Sequence, residues 1–285
     1  MIPIWFLCAL AASVFSALGN FTHQKLGGTN TASAVWMKII ALTISIPMIV
    51  RSGLPTEPMF YVMTAGASAI WCINDLVYFN AVKNHGAALL SRLWPMGTIL
   101  GFMAWFFIKP DLFTAYMQDM PRFAGIIFAV TLCVGCAIML QRCAFSAAAF
   151  KAVWKVILLG VLGIILVKSA VDYAPSNQSV FGYLGIEAAI MLVFYGIYFK
   201  LRRPAAFREV TSLDGAKTGG MVAAFLVSAG VIRMYAFDAV DHPAFVTAVC
   251  MLDVVWLMII TRIVGWEDKS NKWAGLGIVV AAIAL

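Results

Sequence analysis

A chain of 285 residues that is 63% hydrophobic and only 12% charged holds more apolar side chain than a soluble core of that size can bury, because soluble domains sit nearer half apolar and a quarter charged. The composition predicts an integral membrane protein and excludes a soluble enzyme. It also excludes a nucleic-acid binder: the net charge of +7 belongs to loops at the membrane surface, where Lys and Arg set orientation.

At about 20 apolar residues per crossing of the hydrocarbon, the length admits about ten spans with short loops. Ten apolar segments are read in order, over residues 2–22, 33–51, 59–82, 86–108, 122–141, 151–172, 179–200, 217–239, 242–262 and 271–285. The fold class is therefore all-α and polytopic. The breaks carry turn chemistry: Gly27-Gly28-Thr29-Asn30, Ser52-Gly53-Leu54-Pro55, Lys109-Pro110-Asp111, Ala174-Pro175-Ser176-Asn177 and Asp268-Lys269-Ser270-Asn271. The longest polar stretch, Lys200 to Lys217, holds Arg202, Arg203 and Arg208 and reads as a loop. The first segment lacks a basic flank ahead of it, so no cleaved signal peptide is expected. Cys133-x-x-Cys136 lies within an apolar segment with no second ligand pair, and all six cysteines read as inert membrane thiols.

One stretch organises the chain. It runs from Cys72-Ile73-Asn74-Asp75 through Tyr78-Phe79-Asn80-Ala81-Val82 to His85-Gly86, Arg92 and Trp94-Pro95. A second stretch with the same plan runs from Arg233-Met234-Tyr235 through Phe237-Asp238-Ala239-Val240 to Asp241-His242-Pro243 and Asp253. Overlaying the two sets Asp75 opposite Arg233 and Pro95 opposite Asp253. Arg122-Phe123-Ala124-Gly125 likewise matches Lys272-Trp273-Ala274-Gly275, each opening the fifth span of its half. The chain thus divides into 1–145 and 146–285. Five spans is an odd number, so the second half enters the membrane from the opposite face; such inverted repeats place a transporter's site at their interface. Arg51, Lys109, Arg122, Lys168 and Arg233 fall on the side of the even-numbered loops, leaving fifteen of the 20 Lys and Arg on the other. Charge alone therefore sets the odd-numbered loops in the cytoplasm and both termini outside.

Phe79-Asn80-Ala81-Val82 leading to Leu93-Trp94-Pro95, with Phe237-Asp238-Ala239-Val240, Gly265-Trp266-Glu267 and Trp273-Ala274-Gly275-Leu276-Gly277 in the second half, resembles the drug/metabolite transporter superfamily, EamA type. The resemblance spans essentially the whole chain. It implies a basket of ten helices with a central cavity, spans 1–4 and 6–9 lining the pathway and 5 and 10 buttressing it. Asp253 stands where the family carries a Pro in the ninth span, which implies a specialised substrate or coupling site. Many relatives keep both termini in the cytoplasm, against the charge count. The resemblance also implies a bacterial inner membrane and fixes no substrate.

The candidate site residues are charges and aromatics inside the spans. Asp253, near the middle of the ninth, costs at least about 2.5–3.5 kcal/mol to insert, so a substrate, proton or partner is expected at it; a structural ion pair is the bland alternative. Asp75 and Arg233, at matching places, are read either as a latch between the halves or as groups near the membrane surface. Arg92, one turn before the helix-kinking Pro95, offers a fork suited to a carboxylate or phosphate, or snorkels to the headgroups. Glu187 has no basic neighbour at i±3 or i±4, so its partner comes from another helix, the substrate or a proton. Lys38 reads equally as topogenic or functional. Trp36, Trp71, Tyr78, Trp94, Tyr195, Tyr235 and Trp256 are candidates to line a cavity and hold a cationic head, with packing as the default. His23, His85 and His242 fall at span ends without metal-ligand spacing, and His242-Pro243 after Asp241 reads as a helix start capped by Asp241. Gly97-x-x-x-Gly101 and Gly160-x-x-Gly163 predict close helix approach.

These residues predict a secondary transporter working by alternating access. Its substrate is a small polar metabolite, with an amino acid or related zwitterion preferred: Arg92 takes the anionic group, and Asp253 the amine or a coupling proton, with Glu187 as a second coupling group. A carrier of cations such as quaternary amines is the alternative, and a non-transporting membrane subunit or lipid-handling module the second. No cofactor, metal or nucleic acid is expected; lipid, substrate and protons are the expected partners, and the chain is a monomer or homodimer.

Overall fold

The computed structural model describes residues 3–27, 29–85, 94–140, 147–266 and 271–285. Among them every regular element is an α-helix, thirteen in all: α1 (Ile4–Leu26), α2 (Asn30–Ser52), α3 (Pro58–His85), α4 (Met96–Ile108), α5 (Pro110–Gln118), α6 (Met120–Leu140), α7 (Ala147–Val171), α8 (Ser176–Arg202), α9 (Pro204–Thr211), α10 (Leu213–Asp238), α11 (Pro243–Cys250), α12 (Leu252–Ile263) and α13 (Lys272–Ala284). Eight are long and apolar enough to cross a membrane, counting α11 with α12 as one; α4 and α5 together are bent by 104°, and α13 is shorter. The protein is an integral, multi-pass membrane protein.

Local chemistry sets the helix ends. The Oγ of Ser212 accepts the Gly215 N–H at 3.0 Å to start α10, and the Asn271 Oδ1 accepts the Trp273 N–H at 3.1 Å to start α13. Gly27, at φ 65°, closes α1 in the left-handed region, where a residue without Cβ is at no cost. Two expected loops contain helices instead. Lys200–Lys217 holds the end of α8, all of α9 and the start of α10, and the connection after Lys109 holds α5. Each short helix follows a proline: the residue ahead of it, Lys109 at ψ 76° and Arg203 at ψ 65°, is forced out of helical geometry, and the proline then opens a new helix at its first position, where no N–H is needed. The aromatic face of α5 settles on its neighbours, with Tyr116 stacked on Phe123 at 5.9 Å and Phe113 edge-on to Phe106 at 5.3 Å. The ninth apolar segment is likewise broken, at Met251 between α11 and α12.

The long helices pack in a definite pattern. The α1 helix lies against α10, α11 and α12, whereas α3 lies against α7 and α8; α2 packs on α8 and α10, α4 on α7 and α11, and α6 on α13. Small residues permit these approaches, as the sequence spacing anticipates. A Cβ at Gly160 would stand 2.5 Å from the Trp94 ring and one at Gly163 2.8 Å from the Trp71 ring, and one at Gly277 would collide with the Cys136 sulfur. The boundary between residues 145 and 146 lies outside the described residues.

His242, between α10 and α11, plugs one end of the bundle. It is fully buried and stacked on Phe102 at 4.6 Å and Phe245 at 5.3 Å. Its Nδ1 accepts the Ala244 N–H at 3.3 Å, so Nε2 carries the proton and donates to the Phe102 carbonyl at 3.2 Å. The cap of α11 is thus His242 rather than Asp241, whose carbonyl instead accepts from the Trp105 Nε1 at 2.9 Å. Burial pushes the His242 pKa down to about 4 from an ordinary 6.5. Because the unfolded chain binds this proton first, thermal stability is full above about pH 6.5, falls between about 6.5 and about 4, and then levels off. The His242→Asn variant, which keeps a capping acceptor, is expected to show a shallower fall in melting temperature across that window; an identical fall in both proteins would contradict this placement of the proton.

Candidate substrate-binding site

Helices α1, α2, α3, α8 and α10 enclose a cavity of about 310 Å³. Each contributes residues from one face. Asn20 and His23 lie one turn apart on α1, Ala34 and Lys38 on α2, and Val222 and Leu226 on α10. From α3 come Trp71, Asp75 and Tyr78, at i, i+4 and i+7, the spacing of one helical stripe. Asn20 and His23 lie near the C-terminal end of α1, Ser33 to Lys38 in the first third of α2, and Asp75 and Tyr78 in the C-terminal half of α3, while Val222 and Leu226 lie near the middle of α10. The cavity therefore sits toward the end of the bundle from which the odd-numbered, Lys- and Arg-rich loops leave.

Two polar pairs, one of them an ion pair, stand at its wall. The Lys38 Nζ donates to the Glu187 Oε1 at 2.6 Å, joining α2 to α8. The lysine side chain keeps 17% exposure and the glutamate 5%, so the cation faces the cavity and the anion stands behind it. On the same face of α8, two turns on from Glu187, the Tyr195 hydroxyl donates to the Asp75 Oδ2, with Met191 lining the cavity between them. Lys38 and Glu187 both act electrostatically on Asp75. One lysine thus stands among two carboxylates. The His23 Nε2 and the Ser33 Oγ, on residues that also line the cavity, are buried and have no hydrogen-bond partner among the described residues. Among the described residues no three His, Cys, Asp or Glu side chains come together as a metal would require.

A second polar cluster lies between α1, α10 and α12. The Arg233 Nη2 donates to the Ser16 Oγ at 3.2 Å, and its buried Nε has no partner among the described residues. Arg233 acts electrostatically on Asp253, and the Trp256 Nε1 donates to the Ser13 Oγ at 3.0 Å. Asp253 sits in the first turn of α12, where the helix dipole favours an anion. Neither Arg233 nor Asp253 lines the cavity.

The opposite end of the bundle is drawn together. At the start of α8, the Ser176 Oγ donates to the Asp238 Oδ2, the Asn177 Oδ1 accepts from the Tyr235 hydroxyl at 2.8 Å, and the Gln178 Nε2 donates to the Ser52 carbonyl at 2.8 Å. The Lys109 Nζ meets the Asp172 Oδ2 at 2.9 Å, and Lys168 holds the other oxygen of the same carboxylate. A Cβ on Gly182 would stand 3.0 Å from Pro55, and one on Gly185 2.8 Å from Ile49, so α8 and α2 meet closely here.

The expected site residues therefore separate. Asp75 and Tyr78 line the cavity, and Glu187 backs it with a partner from another helix, as its spacing requires. Asp253 and Arg233 share the second cluster. The latch between Asp75 and Arg233 is not formed: Asp75 bonds to α8 and Arg233 to α1, because each faces a different neighbour of its helix. Tyr235 belongs to the closed end. Trp36 is a packing anchor, its Nε1 donating to the Val210 carbonyl of α9 at 3.2 Å. Trp94 packs on Gly160, and Arg92 lies outside the described residues. Lys38, read from the sequence as equally topogenic or functional, lines the cavity and is paired with Glu187. Its partner is 149 residues away; the signal that marks it is its place one turn after Ala34 on a stripe facing the cavity. No family model matches the sequence, and no curated protein matches it.

Breaking one side of a buried ion pair leaves the other charge uncompensated and costs about 3–5 kcal/mol, whereas replacing both by apolar groups is near neutral. Lys38→Met and Glu187→Leu are each expected to lower the melting temperature of the detergent-purified protein more than the Lys38→Met/Glu187→Leu double variant does. Additive losses in the double variant would show that the pair is not coupled.

Proposed function

We propose that the protein is a secondary transporter of the EamA type, moving a small polar metabolite by alternating access. The observation that carries this reading is a charged cavity set toward one end of the bundle, while the other end is drawn together by hydrogen bonds and ion pairs. That asymmetry is what a transporter resting open to one side requires. The positive-inside rule makes the open side the cytoplasm, and we assign the protein to a bacterial inner membrane with both termini outside.

The packing pattern supports ten spans in two inverted halves. Exchanging the first five spans for the second five turns the pairing of α1 with α10 into that of α7 with α3, and the pairing of α2 with α10 into that of α8 with α3. The pairs α2–α8, α4–α11 and α6–α13 map onto themselves. In this scheme α6 and α13 buttress the bundle, and α4, although its first part lies outside the described residues, is the fourth span.

The cavity volume lies at the low end of small-molecule sites, about 300–1,000 Å³, and favours an amino acid or similar zwitterion over a nucleotide sugar. Asp75 would take the substrate's amine, replacing Asp253 in that role. The Arg233–Asp253 cluster, outside the cavity, is then the candidate coupling site for a proton. A second reading, a carrier of cations such as quaternary amines, is favoured by one observation: Glu187 already neutralises Lys38, leaving the Asp75 carboxylate beside Trp71 and Tyr78 to attract a cation.

Counterflow in proteoliposomes tests the reading, after a thermal-shift screen of amino acids, polyamines, quaternary amines, sugar phosphates and nucleotide sugars, in which a ligand of the folded state raises the melting temperature. Asp75→Asn is expected to abolish both the thermal shift and the counterflow. Asp253→Asn is expected to keep the thermal shift and lose concentrative uptake driven by a proton gradient. A folded protein with no ligand and no counterflow would overturn the transporter reading in favour of a partner subunit.

A further inference from the structure

We infer that Glu187 is a built-in stand-in for the substrate's carboxylate: in the structure it occupies the place on Lys38 that the carboxylate of a bound amino acid takes or shares. This rests on the transporter reading and assigns the two ends of the substrate to named residues. Lys38 is the half-sheltered cation on the cavity wall, and Glu187 reaches it from behind at 2.6 Å. An ammonium has three N–H donors and no acceptor; one is directed at Glu187, so a carboxylate arriving from the cavity meets the remaining donors. The other end of the ligand meets Asp75. Tyr195 occupies its Oδ2, and an ammonium group bonds to the carboxylate from the cavity side. The His23 Nε2 and Ser33 Oγ, without a partner among the described residues, offer hydrogen bonds to a polar substituent.

The arrangement selects by charge. A simple anion engages Lys38 but is repelled by Asp75. A simple cation engages Asp75 but leaves Lys38 held by Glu187. A zwitterion satisfies both, and the net charge of the site is the same before and after it binds. Because Glu187 competes for Lys38, it sets the affinity from below: a resident carboxylate weakens the incoming one and speeds its release. Lys38 belongs to α2 in the first half and Glu187 to α8 in the second, so the ligand acts on a contact that ties the halves together.

The test compares the wild type with Glu187→Gln and Lys38→Met in thermal-shift and equilibrium-binding measurements, using the twenty amino acids, glycine betaine, acetate and choline as probes. Glu187→Gln lowers the melting temperature of the free protein. It tightens binding of the best amino acid by roughly tenfold, since a hydrogen bond to a charged group is worth about 1.5–3 kcal/mol, and it enlarges the shift the ligand produces. Lys38→Met weakens the same ligand at least about tenfold and abolishes the preference for it over the corresponding amine. A purely structural ion pair predicts the same loss of stability for Glu187→Gln but weaker or unchanged binding, and that binding result overturns the inference. Choline bound and transported equally by wild type and Lys38→Met, with no amino acid bound, also overturns it while leaving the transporter reading intact. No ligand and no flux from a folded protein overturns both.

Discussion

A charge inside a hydrocarbon layer must find a partner, and this constraint shapes the centre of the molecule. Lys38, Asp75 and Glu187 lie deep in helices that are otherwise apolar, each at a cost of several kcal/mol if left alone. The protein meets that cost by facing them toward one another around a cavity, with Glu187 on Lys38 and Tyr195 on Asp75. The same constraint places Arg233 with Ser16 and in the field of Asp253. Because the partners come from different helices, the polar clusters fix which helices are neighbours: α2 and α3 on α8 in one case, α1 and α12 on α10 in the other.

Between these clusters the helices are held by close approach rather than by polar bonds. Gly160 and Gly163 on α7 receive the rings of Trp94 and Trp71, and Gly277 on α13 receives Cys136 of α6. In lipid there is no apolar driving force between helices beyond what packing provides, so such contacts decide which surfaces meet. Trp71 connects the two kinds of interaction, packing on Gly163 and facing the cavity beside Asp75. The far end of the bundle is different in kind. There the links are hydrogen bonds and ion pairs at helix termini, such as Gln178 on Ser52 and Lys109 on Asp172. The Lys109–Asp172 pair is partly exposed; pairs of that kind contribute little individually and separate easily, as the proposed transport cycle requires.

The long apolar runs were legible in the sequence, because a 20-residue stretch without charge has few alternatives in a membrane protein. Helix starts at Asn30, Pro243 and Lys272 follow turn residues that the sequence shows plainly. The short helices α5 and α9 were not legible, since their polar composition reads as loop and only the proline that begins each one hints at a helix. At the site, Glu187 was recognisable as a carboxylate in need of a distant partner, but nothing local points from it to Lys38. Asp75 and Arg233, matched by position in the sequence, lie in the C-terminal halves of α3 and α10 and bond to different neighbours, Tyr195 and Ser16. A residue's place along its own helix does not fix its partner, because the side chains beside it come from other helices. Asp253 and Pro95 illustrate the same point: each stands at the start of a helix, α12 and α4, with unrelated chemistry.

In the proposed transport cycle the two halves rock about the charged cavity, closing one end as the other opens. Distances between pairs of spin labels on exposed positions test it most directly: Gln24→Cys with Leu201→Cys at the cavity end, and Glu57→Cys with Tyr173→Cys at the opposite end, each pair in a cysteine-free chain in lipid. Rocking of the halves predicts that a transported ligand shortens the first distance and lengthens the second within the same sample. Transport with both distances unchanged, or with both moving in the same direction, would contradict it.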